Sequence, residues 1–322
     1  MGQASLRELD FVPLPEYPER KLSFGKGLFR LADPKISLAS FSSMFLGACA
    51  AARDGPLSPM WLAVTFIGIW AIEIAKNASG EIYDWDSGTD RSVAPEDGTP
   101  FSGGKRVLVE NLLTRRQTRA VAFIGYAIGI LAGLWIATYR EPRVLFFGIL
   151  GIGLAFFYHA PPLKLSYRGL GELAVAMAYG PLIGSGTYLV QRGDLPGRVP
   201  LLFVPLGIAI AAFLWINELP DEKADRGAGK RTLVVRMGRA RAANAFAALL
   251  IASALTLALL PLAGWPVAVW LGALGFLPGG RAARDLRAHP NDIRRIIPAQ
   301  SDTLKAFALL ALGSGVGLLL GP

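Results

Sequence analysis

Residues 119–138 read Arg-Ala-Val-Ala-Phe-Ile-Gly-Tyr-Ala-Ile-Gly-Ile-Leu-Ala-Gly-Leu-Trp-Ile-Ala-Thr, and no charged side chain follows Arg119 in that run. At about 1.5 Å per residue a helix of this length spans roughly 30 Å, the hydrocarbon thickness of a bilayer. A surface helix of a water-soluble protein needs a polar face along its length, and this stretch has none. It reads as a membrane-spanning helix.

Eight further apolar stretches flank it, near residues 37–53, 59–76, 144–159, 169–190, 199–217, 243–261, 264–279 and 302–320. The 322 residues are 52% hydrophobic and only 18% charged, and the charges gather between the stretches. The predicted fold is therefore an all-α integral membrane bundle of nine transmembrane helices over residues 37–322, preceded by a cytoplasmic arm, residues 1–36. Gly180-Pro181 and Pro205 fall inside predicted spans. Such breakers are tolerated in membrane helices because neighbouring helices re-satisfy the backbone.

A net charge of +9 raises the question of nucleic acid, but position decides otherwise. Basic residues favour the cytoplasmic side of membrane proteins. With the N-terminus inside, the inner segments hold Lys26, Arg30, Arg115, Arg116, Lys164, Arg236 and the arginines from Arg281 to Arg295. The outer ones hold little beyond Arg53, Arg140, Arg143, Arg192 and Arg198. The expected topology is N-in and C-out, the expected surroundings a lipid bilayer, and no nucleic-acid partner is expected. The lone Cys49, within the first stretch, excludes a disulfide framework and a multi-thiolate zinc site.

Two acidic clusters stand on one side of this topology. After the second stretch come Asn77, Glu81, Asp84, Asp86 and Asp90; after the sixth come Asn217, Glu218, Asp221, Glu222 and Asp225. Four predicted spans separate them, so both emerge on the same face. Glu81 and Asp84 are three apart and Asp221 and Asp225 four apart, which sets each pair on one side of a helix. Carboxylates held that close repel and gain from a cation between them. All-oxygen ligands without His or Cys suit Mg²⁺, which bridges carboxylates to substrate phosphates. Lys105 and Arg106 follow the first cluster and Lys230 and Arg231 the second, placing phosphate-binding cations beside each. Gly103-Gly104 adds a turn whose N–H groups suit an anion. Glu73, about two turns before Glu81 in the second stretch, is costly at that depth unless it faces a cavity or a partner helix, and the sequence leaves both open.

At these residues the chain resembles the UbiA superfamily of intramembrane prenyltransferases over nearly its whole length. The run from Asn217 to Asp225, with Gly229-Lys230-Arg231-Thr232-Leu233, is very similar to the second Asp-rich motif of that family. Tyr158-His-Ala-Pro161-Pro162-Leu-Lys164 and Arg168-Gly169-Leu-Gly171-Glu172 resemble the loop after the fourth helix in the branch that prenylates 1,4-dihydroxy-2-naphthoate for menaquinone. The first motif departs from the pattern: Gly80-Glu81 stands where Asn-Asp is usual, and Asn77 is a candidate substitute for the missing amide.

The resemblance implies nine helices around a central cavity, two Asp-rich cytoplasmic loops, and a prokaryotic inner or cell membrane. It implies that Glu81, Asp84, Asp90, Asp221 and Asp225 hold Mg²⁺, and that Lys105, Arg106, Lys230 and Arg231 stabilise an isoprenyl diphosphate as its allylic C–O bond breaks. Asn77, Tyr83, Tyr158, Lys164 and Asn217 are candidate substrate contacts, with Tyr167 a further aromatic. His159 reads as a base or as an interfacial hydrogen-bond partner. The implied second partner is a small aromatic acceptor, 1,4-dihydroxy-2-naphthoate or a related quinone precursor. Alternatives are 4-hydroxybenzoate, homogentisate, a porphyrin or chlorophyll precursor, or a glycerol phosphate lipid. From other classes come a transporter, which predicts midplane charges and an inverted repeat, and a non-catalytic scaffold. Prenyl chain length and oligomeric state are not legible.

Overall fold

Away from water a chain can satisfy its backbone N–H and C=O groups only within helices or closed barrels, and here the apolar stretches become helices. The structure, a computed structural model, describes residues 22–93 and 97–321. In chain order its helices are α1 (Phe24–Ala32), α2 (Pro34–Asp54), α3 (Pro59–Ser87), α4 (Arg115–Tyr139), α5 (Val144–Phe157), α6 (Gly171–Met177), α7 (Ile183–Arg192), α8 (Arg198–Leu202), α9 (Val204–Gly227), α10 (Leu233–Met237), α11 (Arg239–Leu259), α12 (Phe276–Ala288) and α13 (Ile293–Leu320). No strand occurs among the described residues. Of the expected arm, residues 1–21 lie outside the described residues; its end forms α1 and the first turn of α2.

Seven helical units among the described residues are long and apolar enough to cross a membrane. They are α2, α3, α4, the α6–α7 unit Gly171–Arg192, α9, α11 with its 3₁₀ extension to Ala263, and α13. The other two of the nine expected spans take different forms. Stretch 144–159 yields only the 14-residue α5, because Pro161 cannot continue a helix and biases the residue before it away from helical geometry. Stretch 264–279 is a 3₁₀ segment, Val267–Gly275, that runs into α12. Its glycines lie against α13: a Cβ at Gly272 would stand 2.8 Å from the Leu310 carbonyl oxygen, and one at Gly275 would stand 2.9 Å from the Leu310 nitrogen.

Local chemistry sets the ends. Asp33 caps α2 by accepting from the Ile36 N–H, with Pro34 in the first turn. Thr114 and Gln117 close a reciprocal capping box on α4. Gly88, at φ 82°, stops α3 and turns the chain back. Between α6 and α7, Pro181 removes an N–H donor, and the helix widens into a π turn over Ala178–Leu182.

The two sides of the bundle differ. α9 is buried along most of its length, packed among α6, α11 and α13. α4 and α5 turn Phe123, Ile124, Phe146 and Ile149 outward, exposed by 75, 55, 62 and 70%. Such faces suit lipid and would be a liability in water.

Candidate active site

The acidic residues prove to be helix-borne. Asn77, Glu81 and Asp84 lie on the last turns of α3, and Asn217, Glu218, Asp221 and Asp225 lie on the last turns of α9. The expected Asp-rich loops are corrected accordingly: only Asp90 occupies a turn, just beyond Gly88. The reason is the i, i+3, i+4 spacing itself, which keeps one helical face directed at the cavity. α9 continues through Pro220, whose carbonyl accepts from Arg239 Nη2 at 3.2 Å.

These side chains line one cavity of about 230 Å³. Segment 101–105, Tyr158, His159, Lys230 and the α2 residues Ile36 and Ala39 are among the other residues of its wall. Glu81, Asp84, Asp90, Asn217, Glu218 and Asp225 are buried. Lys230 joins the two helices: its ammonium stands 3.2 Å from Asp84 Oδ1 and 3.4 Å from Asp225 Oδ1. Burial alone would pull that ammonium down, but the Asp84 and Asp225 charges outweigh it and hold Lys230 protonated well above the usual lysine range. Tyr167 donates to Asp84 Oδ1 at 2.8 Å and lies under Lys230, 5.0 Å from ring centroid to ammonium. Burial, then the Asp84 charge, push its hydroxyl up to about 12. Burial, then the charges of Asp84 and Glu81, push the Asp90 carboxyl well above the usual range.

Several acceptor oxygens in this cavity have no donor. Glu81 Oε1 accepts from the Leu108 N–H at 3.0 Å and Asp221 Oδ2 from the Gly103 N–H at 3.0 Å, while Glu81 Oε2, Asp221 Oδ1, Asn217 Oδ1 and Glu218 Oε2 are buried and unpartnered. Buried acceptors without donors call for a cation or a ligand. The donor set is all oxygen, and so fits Mg²⁺. Among the described residues no three ligand-type side chains converge as a ready-made cage. Mg²⁺ sites seldom need one, since the ion keeps waters and shares substrate phosphates.

Other predicted residues fall differently. Lys105 lines the cavity but is ion-paired with Asp33, and the Gly103 N–H donates to the Asp221 carboxylate. Gly104 is at φ 74°, and a Cβ there would collide with the Asp90 carboxylate. Arg106 lies outside the cavity wall, 3.7 Å from Glu110. Arg231 is exposed and outside it, its N–H bonded to the Tyr167 carbonyl at 2.9 Å. Lys164 covers the Tyr167 ring at 5.2 Å, away from the wall, and Tyr83 sits on another side of α3 than Asp84. Tyr158 does line the cavity.

Asn77 lines the cavity, and its Nδ2 donates to the Leu31 carbonyl at 2.8 Å, tying α3 to α1. The space over Gly80 itself is filled by His159. A Cβ on Gly80 would stand 2.6 Å from His159 Cε1, and His159 Nε2 lies 3.6 Å from Asp84 Oδ2. Sequence reasoning passed over Glu218 as a site residue, although it lies on the Asp221 and Asp225 face; it passed over Lys76 and Tyr179, which no motif marks.

A second, apolar chamber of about 630 Å³ lies between α3, α4, α5 and α7. Gly68, Gly129, Gly133, Gly148 and Gly186 are among the residues lining it. It shares Lys76 and Tyr179 with the first cavity.

A polar head cavity beside an apolar chamber suits an amphipathic substrate, and comparison with known proteins agrees. The sequence pattern of the UbiA prenyltransferase family matches residues 40–296, well over half of the chain. The chain belongs to the UbiA prenyltransferase family. It is a prenyltransferase, built as an integral membrane protein. Among its relatives is the 1,4-dihydroxy-2-naphthoate octaprenyltransferase of Bacillus subtilis, 26% identical over 230 residues that cover 71% of each chain. Among solved structures, the UbiA homolog from Aeropyrum pernix K1 superposes with a TM-score of 0.68 at 19% identity, covering 88% of this UbiA-family chain and 98% of its own. The Archaeoglobus fulgidus UbiA homolog bound to GPP and Mg²⁺ gives 0.59 at 14% identity, covering 88% and 99%. At those identities the likeness is one of fold.

Proposed function

We propose that this UbiA-family enzyme transfers the prenyl group of an Mg²⁺-bound isoprenyl diphosphate to a small aromatic acceptor, 1,4-dihydroxy-2-naphthoate or a related quinone precursor. One observation carries the reading: carboxylates from two helices, with unpartnered oxygens, share a cavity that has Lys76 and Tyr179 in common with an adjacent apolar chamber. The Bacillus subtilis relative acts on the naphthoate named, and the Archaeoglobus fulgidus homolog holds GPP with Mg²⁺.

Glu81, Asp84, Asp90, Asp221 and Asp225 are the proposed metal ligands. Mg²⁺, when bound, neutralises the diphosphate and makes it a better leaving group. Lys230, poised between Asp84 and Asp225, and Lys105 then face the charge that grows on the departing diphosphate. Tyr158 presents an aromatic ring to the allylic carbon as it becomes electron-poor. The apolar chamber holds the hydrocarbon chain and keeps water from the cation. In this reading residues 37–322 act as one unit with nine crossings, α5 and the Val267–Ala288 segment supplying the two that are not long helices. The carboxylate end of the bundle faces the cytoplasm of a prokaryotic cell.

The test is incubation of the purified protein in detergent or lipid with radiolabelled prenyl diphosphates, Mg²⁺ and a panel of aromatic acceptors, with Asp221→Ala and EDTA controls. The expected result is an apolar prenylated naphthoate that disappears in both controls. Product with a different acceptor replaces the acceptor and keeps the reaction. Absence of both product and diphosphate binding overturns the reading.

A further inference from the structure

Where the head cavity meets the apolar chamber, four polar side chains form a chain of contacts inside the membrane region. Ser40 donates to Glu73 Oε2 at 2.7 Å, Tyr179 donates to Glu73 Oε1 at 3.1 Å, and Lys76 donates to the Tyr179 hydroxyl at 2.8 Å. Glu73, left open by the sequence, is thereby satisfied at both oxygens and faces the chamber. Tyr179 is held too: it lies in the π turn, its carbonyl accepts from Ser43, and its ring lies 5.4 Å from the Lys76 ammonium.

Lys76 has no ion pair among the described residues: the Glu73 carboxylate reaches it only across the Tyr179 hydroxyl. Three lysines line the head cavity, and two of them are ion-paired, Lys105 with Asp33 and Lys230 with Asp84 and Asp225. Among the described residues no carboxylate forms an ion pair with Lys76, and Tyr179 is its one hydrogen-bond partner. An ammonium carries three donors, and the Tyr179 hydroxyl takes one of them. Lys76 is partly buried and lines both cavities, so its remaining donors serve the contents of the cavities. Along α3, Glu81 lies five residues further, about 7.5 Å nearer the mouth at helical rise, and Asp84 eight residues further, about 12 Å. Lys76 therefore stands inward of the proposed metal ligands and lines both cavities, where an acceptor ring would lie against the allylic carbon with its substituents toward the chamber.

We propose that Lys76, oriented by Tyr179, binds a carboxylate carried by the aromatic acceptor at the junction of the two cavities. The proposal rests on the prenyl-transfer reading, whose naphthoate acceptor is already an aromatic acid, and adds to it the residue that holds the acid group. A single ammonium on a flexible stem suits one carboxylate as a point charge.

The experiment compares 1-hydroxy-2-naphthoate with 1-naphthol, which differ by that carboxylate, by calorimetric binding to the full chain in detergent micelles. The wild-type protein is expected to bind the acid at least about tenfold more tightly. Equal binding by the wild type overturns the proposal with no variant needed. Lys76→Met, checked for a monodisperse elution profile, is expected to abolish the preference and leave prenyl diphosphate affinity within about threefold. Tyr179→Phe keeps the ring and is expected to lower the preference by about threefold. A preference unchanged in both variants, or a loss of diphosphate affinity in place of acid preference, also overturns it. Transfer is read separately: a Lys76-dependent preference without transfer supports the assignment of Lys76 and counts against prenyl transfer alone.

Discussion

α9 and α3 bring their carboxylates to the same cavity by different means. α9 is one continuous helix that carries Asn217, Glu218, Asp221 and Asp225 on successive turns, so its backbone alone sets their spacing. α3 brings Glu81 and Asp84, ends at Gly88, and leaves Asp90 to a turn. Its acidic side is held by groups from elsewhere: the Leu108 N–H on Glu81, Tyr167 and His159 beside Asp84, and the close approach of Gly104 to Asp90. The α9 half is mainly a scaffold, with the Gly103 N–H on Asp221 and Lys230 on Asp225 as its outside contacts, and the α3 half is more fully an assembly. Substitutions at distant supporting residues should therefore act through the α3 half.

The largest effect tests what both halves share. Asp225→Ala and Asp84→Ala should each lower transfer by on the order of 10³-fold in a radiolabel assay, because each removes a proposed metal ligand and a partner of Lys230. A loss confined to one of them would break the view that two helices act on one diphosphate.

A second test concerns the departure in α3. Gly80→Asn should cut the rate by about 10- to 100-fold, the range expected of overpacking, as the new side chain meets the His159 ring. Gly80→Asn combined with His159→Ser should recover most of that loss, since the ring that causes the collision is gone. A double variant no better than the single one would show that Gly80 serves something other than His159.

Smaller still is the effect of a support. Tyr167→Phe removes the hydroxyl that donates to Asp84 and should cost about tenfold, with a raised Mg²⁺ requirement in a metal titration. Arg231→Ala should change the rate by less than about twofold, as expected of an exposed side chain outside the cavity wall. A tenfold loss there would restore Arg231 as a phosphate ligand and enlarge the site beyond the cavity.

Legibility in the sequence follows the same division. The α9 motif was readable because its spacing is local: an i, i+4 pair is on one helical face wherever the helix is placed. The positions of Arg106 and Arg231 were not readable, because standing next in sequence to a cavity-lining residue does not fix where a loop side chain points; Lys105 and Lys230 line the cavity, and Arg106 and Arg231 do not. The bond of Asn77 to Leu31 was not readable either, being a contact across 46 positions. Lys76 and Tyr179, 103 positions apart, carry no motif at all.

By itself the sequence determined that this chain lies in a membrane as helices, since uncharged stretches that long have no other way to satisfy their backbone. It determined, too, that two acidic faces stand on one side of the bundle, since four predicted spans separate them. Only the tertiary structure decided that Lys230 joins those faces, that His159 occupies the space over Gly80, and that Lys76 stands between a polar cavity and an apolar one. Each of those facts depends on side chains from different helices meeting, and helix packing, unlike helix spacing, is not written in any local stretch of residues.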